Sequence, residues 1–322
     1  MLTLRKRVIV WTSIFTSIIS AVATIFGFFL TNKLMYMKKK EDDFIYNREL
    51  TSKRFDEAWY TAVNKLERWI PSKNGYSLKA IFIEPLETSN YVIICHGVTE
   101  NKINSLRSVR MFERLGFNSV AYDHRRHGDS GGKTTSFGYY EKMDLQAIVE
   151  AVRERAGENA VIGIHGESMG AATTLLYAGS IVDDADFYIS DCAFSNFEEQ
   201  VYHIMTQTTP LRSSLAIRFA NFFLKFRDGY TLNLVSPIDV VDKIEKPVLF
   251  IHSLEDDFIL PKMTEDLYEK KRGPKMLKLF DIGAHAKSFN ENSKEYEEIV
   301  SDFLKQYDLL GEENPIQTFT NN

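Results

Sequence analysis

The chain has 322 residues, of which 44% are hydrophobic and 26% charged, and a formal net charge of -5. That is the composition of a globular protein, long enough for one large α/β domain plus an anchor. The acidic balance lacks the basic footprint that nucleic acid requires, so no nucleic-acid partner is expected.

The first forty residues are a different material from the rest. No residue from Val8 to Thr31 is charged, a stretch longer than the roughly 20 apolar residues that span a bilayer. Trp11 near one end and Tyr36 beyond the other suit the interfacial belts of a membrane helix. Ala21-Val22-Ala23 resembles a signal-peptide cleavage site, but the apolar run continues beyond it through Phe26, Phe28, Phe29 and Leu30. The expectation is an uncleaved, single-pass anchor over 1–32 at the cell membrane. Arg5, Lys6 and Arg7 precede the span, and Lys33, Lys38, Lys39 and Lys40 follow it. The positive-inside rule therefore has almost no asymmetry to act on and leaves the orientation open; the working assignment puts the following domain outside the cell. Residues 41–66 alternate charges with Phe44, Ile45, Leu50, Phe55 and Trp59, and 33–68 reads as an amphipathic helical stalk.

From Trp69 the pattern becomes strands separated by helices. Apolar runs at Leu78–Ile83, Tyr91–Cys95, Ser119–Tyr122, Ala160–Ile164, Phe187–Ile189, Val248–Ile251 and Leu277–Phe280 predict strands buried on both faces. Ile103–Leu115, Tyr139–Arg155, Met169–Tyr177, Lys262–Lys271 and Lys294–Gln306 predict helices between them. Strand alternating with helix implies a mostly parallel sheet with right-handed crossovers over 69–310, and ligands bind such sheets at the carboxyl ends of the strands. The two cysteines, Cys95 and Cys192, each follow an apolar run and read as small buried hydrophobes. Residues 192–246 form a long insertion before the sheet resumes. Its helical stretches, Phe197–Met205 and the aromatic-rich Leu215–Phe226, suit a cap. The polar residues 311–322 read as a tail.

Three motifs carry chemistry. Gly166-Glu167-Ser168-Met169-Gly170 fits G-x-S-x-G between an apolar strand and a helix-forming run. The chain must turn sharply there, and the glycines leave room for a strained serine. The helix start then aims backbone N–H groups at a developing oxyanion. Ile94-Cys95-His96-Gly97-Val98 ends another buried strand, and the N–H groups of Val98 and Met169 are the expected oxyanion donors. Tyr122-Asp123-His124-Arg125-Arg126-His127-Gly128-Asp129-Ser130-Gly131-Gly132 follows a third strand.

In this order the motifs resemble those of the α/β hydrolases. The chain is similar to membrane-anchored serine hydrolases of Gram-positive bacteria, in the serine aminopeptidase-like and monoacylglycerol-lipase-like branch. The resemblance covers about Trp69 to Leu309. It implies an α/β-hydrolase fold and a triad in the order serine, acid, histidine. Arg126 departs from the pattern, since relatives often carry glycine there. In His252-Ser253-Leu254-Glu255-Asp256-Asp257, counting from His252 selects Asp256 as the acid, whereas counting back from Pro261 would select Asp257; Asp256 is preferred. His285 is the only one of the seven histidines downstream of Asp256 and is the expected base. His96, His124, His127, His165 and His252 are read as structural, and His203 as lining the pocket or inert.

The expected function is hydrolysis of carboxylic esters or thioesters of a small or lipid-like acyl substrate through Ser168, His285 and Asp256. The alternatives are a serine peptidase or amidase, which would need carboxylates such as Glu100 or Glu167 for a substrate ammonium, and a non-catalytic tethered binding protein. No metal-ligand cluster, phosphate loop or dinucleotide fingerprint is present in the sequence, so no cofactor or metal is expected. Oligomeric state is not legible.

Overall fold

The computed structural model describes residues 4–208 and 214–310. The expected tail, 311–322, and part of the expected insertion lie outside the described residues. The chain opens with a long helix, α1 (Leu4–Met35), followed by α2 (Asp42–Thr51) and α3 (Glu57–Ala62). Strands β1 (Lys65–Pro71), β2 (Ser77–Ile83) and β3 (Tyr91–Cys95) lead to α4 (Lys102–Arg114) and β4 (Asn118–Tyr122). Then come α5 (Glu141–Ala156), β5 (Ile162–Glu167), α6 (Met169–Ser180) and β6 (Phe187–Asp191). Helices α7 (Phe197–Thr208) and α8 (Ser214–Asp228) precede β7 (Val248–Ser253) and α9 (Pro261–Lys270). The chain closes with β8 (Lys275–Phe280), α10 (Ser288–Glu291) and α11 (Ser293–Gln306).

The eight strands form one sheet in the order β1-β2-β4-β3-β5-β6-β7-β8. β2 pairs antiparallel with both β1 and β4, and every other pairing is parallel. This is the mostly parallel sheet expected from the strand–helix alternation, in the α/β-hydrolase arrangement that the motif resemblance implies. Helices cover both faces, which is why the central strands β3 to β7 read as continuous apolar runs. On one face Leu145 and Ile148 of α5, Leu175 of α6 and Leu267 of α9 pack on the sheet. On the other, Leu106 and Phe112 of α4 and Val300 and Phe303 of α11 do so. Cys95 and Cys192 are buried free thiols at strand ends.

The segment before the sheet differs from the expected stalk in two ways. Strand β1 already begins at Lys65, four residues before the anticipated domain start. It is an edge strand whose Leu66 and Trp69 stand exposed, so it lacks the buried-strand pattern. Helices α2 and α3 also do not stand away from the domain. Tyr46 and Leu50 of α2 and Trp59 and Tyr60 of α3 pack against the core cluster that holds α4 and α11.

By length and composition α1 is the one helix among the described residues apolar enough to cross a membrane. Trp11, Phe15 and Ile25 on it are exposed. Its final turns dock on α8. A Cβ on Gly27 would come within 2.3 Å of the Phe223 ring, so only glycine allows this approach. Arg227 of α8 donates to the Asn32 side chain at 2.6 Å and stacks over Phe28 at 4.4 Å. Met35, Met169, Phe194, Phe197, Ile217 and Leu224 then form a separate apolar cluster over the carboxyl end of the sheet.

Candidate active site

Ser168 sits in the turn between β5 and α6 with φ of 55° and ψ of -116°, a conformation that side chains rarely adopt. Its surroundings explain the flanking glycines. A Cβ on Gly166 would lie 2.4 Å from the Gly170 carbonyl oxygen, and one on Gly170 would lie 2.1 Å from that of Cys95. The two glycines therefore let the turn fold on itself and on the end of β3.

Ser168 Oγ lies 2.9 Å from His285 Nε2, and His285 Nδ1 lies 2.7 Å from Asp256 Oδ2. Asp256 follows β7, and His285 lies in the loop after β8. Asp257 faces solvent, and its carbonyl meets His203 at 3.0 Å. The other oxygen of Asp256 accepts the N–H groups of Phe258 and Ile259, both at 3.0 Å. Burial alone would raise the Asp256 carboxyl, but hydrogen bonds from His252 and His285 outweigh it and hold it well below the usual carboxylate range.

His252 is a contact that sequence reasoning missed. Its Nε2 lies 3.1 Å from Asp256 Oδ2 and 2.9 Å from the Ile259 carbonyl, while Nδ1 meets Thr264 at 2.7 Å. Two acceptors at Nε2 assign the proton there. The acid thus receives two imidazoles. Only the folding back of the loop 254–259 creates this contact, so strand-end position alone gave no signal. Cys192 Sγ, an Asp256 oxygen and a His285 nitrogen also lie within 4.8 Å of one another. Burial pushes the Cys192 thiol well up, which disfavours the thiolate that a metal needs.

The Val98 N–H and Met169 N–H have no acceptor among the described residues. The loop carrying Val98 is held by two histidines that burial keeps neutral, lowering His96 to about 4 and His127 to about 3. His96 Nδ1 donates to the Gly97 carbonyl at 2.7 Å, and its Nε2 accepts the His124 N–H at 3.0 Å. His127 Nε2 accepts the Thr99 N–H at 3.1 Å, a reach beyond its own loop. Arg126 has φ of 61°, which explains why glycine suits this position, and it donates to the Met37 carbonyl at 2.8 Å.

Two cavities meet at Ser168. An apolar one of about 310 Å³ is walled by Leu30 and Leu34 of α1, Phe194, Phe197, Val201 of α7 and Ile217 of α8. A polar one of about 340 Å³ is bordered by His285, Arg107, Glu100 and Glu167. Glu167 is paired with Arg107, and Glu100 with Lys40 and Arg48. Burial would raise Glu100, but its cationic partners pull it down to about 2.

A family model for serine aminopeptidase (S33) matches residues 87–227. The Bacillus subtilis protein YqkD is 47% identical over 289 residues, 89% of this chain and 94% of its own. The chain belongs to the α/β-hydrolase superfamily, in its serine aminopeptidase-like branch. A more distant relative is alpha/beta hydrolase domain-containing protein 17C of Xenopus tropicalis, 27% identical over 60% of this chain and 54% of its own. Among solved structures, the Pyrococcus furiosus esterase Pf2001 superposes with a TM-score of 0.64 at 22% identity, over 80% of this chain and 97% of its own. Pyrococcus horikoshii acylaminoacyl peptidase gives 0.59 at 18% identity, over 80% and 44%. These structural likenesses establish the fold. Family and fold together make this α/β hydrolase a serine hydrolase.

Proposed function

We propose that this protein is a membrane-anchored carboxylic ester hydrolase that works through Ser168, His285 and Asp256. The observation that carries the reading is the continuous relay from Ser168 Oγ through His285 to Asp256, at 2.9 and 2.7 Å, on the floor of two cavities. His285 takes the serine proton as Oγ bonds to the ester carbonyl carbon. The oxyanion is received by the N–H groups of Val98 and Met169. The carbon–oxygen bond to the alcohol then breaks, and His285 returns the proton to that oxygen. Water adds to the acyl-enzyme with His285 as base, releasing the acid and free Ser168. Asp256 orients the imidazole and stabilises its cation.

The carboxylates favour an ester over an aminopeptidase substrate. A substrate ammonium needs an unoccupied carboxylate, but Glu100 and Glu167 already hold Lys40, Arg48 and Arg107. The relatives point the same way only in part, since one structural neighbour is an esterase and another an acylaminoacyl peptidase. Membrane anchoring rests on α1, whose apolar length and exposed side chains suit lipid. The test is steady-state hydrolysis of p-nitrophenyl butyrate against an aminoacyl p-nitroanilide. The reading predicts turnover of the ester with little of the anilide, and a loss of about 10³-fold or more in kcat for Ser168→Ala. Faster turnover of the aminoacyl anilide would overturn it in favour of a peptidase.

A further inference from the structure

The polar cavity beside Ser168 has an unbalanced charge. Its wall brings together Lys40, Arg48, Arg54, Arg107 and Lys287 against two carboxylates, Glu100 and Glu167. Glu100 serves Lys40 and Arg48, Glu49 also serves Arg48 from behind, and Glu167 serves Arg107. Arg54 and Lys287 form no ion pair within 4 Å among the described residues, Glu167 being held by Arg107, and both are half-buried. Crowding is felt at Lys287: burial lowers its ammonium, and Arg54, Arg107 and Arg48 lower it further against the smaller opposing pull of Glu167. The two cavities also differ in their relation to the relay. His285 borders the polar cavity and not the apolar one, whereas Met169 borders the apolar one.

The group that receives a proton from His285 must leave on the His285 side. The chain on the other side of the carbonyl then enters the apolar cavity. Resting on the ester-hydrolase reading, we propose that the substrate is an amphipathic ester with an apolar acyl chain and an anionic group, carboxylate or phosphate, on its leaving alcohol. The acyl chain lies among Leu34, Phe194, Phe197 and Ile217. Arg54 and Lys287 receive the anion. A guanidinium and an ammonium with no protein carboxylate gain charge-assisted hydrogen bonds from such a group, whereas a neutral head leaves them to water and a cationic head meets repulsion. Bond making and breaking are those of the hydrolysis above.

The experiment uses the full chain in nonionic detergent with three nitrophenyl octanoates that differ only at one ring position: a carboxylate, a phosphate, and a neutral dimethylamide. The expected result is a kcat/KM for one or both anions about tenfold above that of the amide. The two anionic arms show which anion is preferred. Arg54→Gln and Lys287→Gln should each reduce that ratio about threefold, and the double variant should bring it close to one. A ratio near one in the parent protein, or a ratio unchanged in the double variant, would overturn the proposal. If Ser168 still reacts with a fluorophosphonate in that case, the ester-hydrolase reading survives without the anionic head. If no ester is hydrolysed and no labelling occurs, the reading beneath the proposal fails and the proposal fails with it.

Discussion

Asp256 is the acceptor at the end of the relay from Ser168. Two imidazoles and two backbone N–H groups converge on a carboxylate that is almost wholly buried. Its folded pKa is depressed from an ordinary value of 3.8. The stability it contributes is therefore complete above that value and is lost as pH falls through the folded pKa. Asp256 stays ionised throughout the range where an imidazole titrates, so the acid limb of kcat/KM should fall with the slope of one proton. A two-proton slope would show that Asp256 does not stay ionised over that range. Asp256→Asn should lower kcat by about 10⁴-fold, while Asp257→Asn, on the solvent side, should change it less than about twofold. His252→Gln should lower kcat about tenfold at unchanged KM, as expected of a positioning residue that acts through Asp256. The strained turn at Ser168 was legible because it is encoded within five residues. Counting from His252 pointed to Asp256, the carboxylate within reach of His285. The contact between His252 and Asp256 was not legible, because no local pattern shows where a loop folds back.

Helices α1 and α8 make one unit at the mouth of the apolar cavity. The approach at Gly27 and the bonds from Arg227 fix the last turns of α1, so that Leu30 and Leu34 become cavity wall. These contacts make the end of α1 part of the domain's packing. Leu34→Trp should fill part of the chamber and move the preference from octanoate to butyrate esters by about tenfold. Gly27→Leu, which forces α1 away from Phe223, should weaken discrimination among chain lengths. Chain-length profiles identical to the parent in both variants would remove α1 from the acyl site. The central strands were legible as apolar runs because helices cover both their faces. Strand β1 was not, because an edge strand with exposed Leu66 and Trp69 has no such signature. The packing of α2 and α3 against the core was equally hidden, since an amphipathic pattern says that a face is buried but not what buries it.

At the scale of the molecule, the parallel sheet sets Ser168 at the carboxyl ends of its strands, and the N-terminal helix brings apolar surface to the same end. Exposed Leu215, Phe222 and Phe226 on α8 lie on the helix that α1 docks against. A long apolar helix, an apolar chamber and a cationic chamber thus converge on one serine. The fold class was legible from the alternation of strands and helices. The division of the site into two chambers was not, because their walls come from α1, the loop after β3, α7, α8 and the loop after β8, segments far apart in sequence. The most direct test of the account is the site of fluorophosphonate attachment on the full chain, mapped by mass spectrometry. The account predicts a single adduct on Ser168, none on Ser168→Ala, and a strongly slowed reaction for His285→Ala. An adduct that persists on Ser168→Ala, or a parent protein that never reacts, would contradict it.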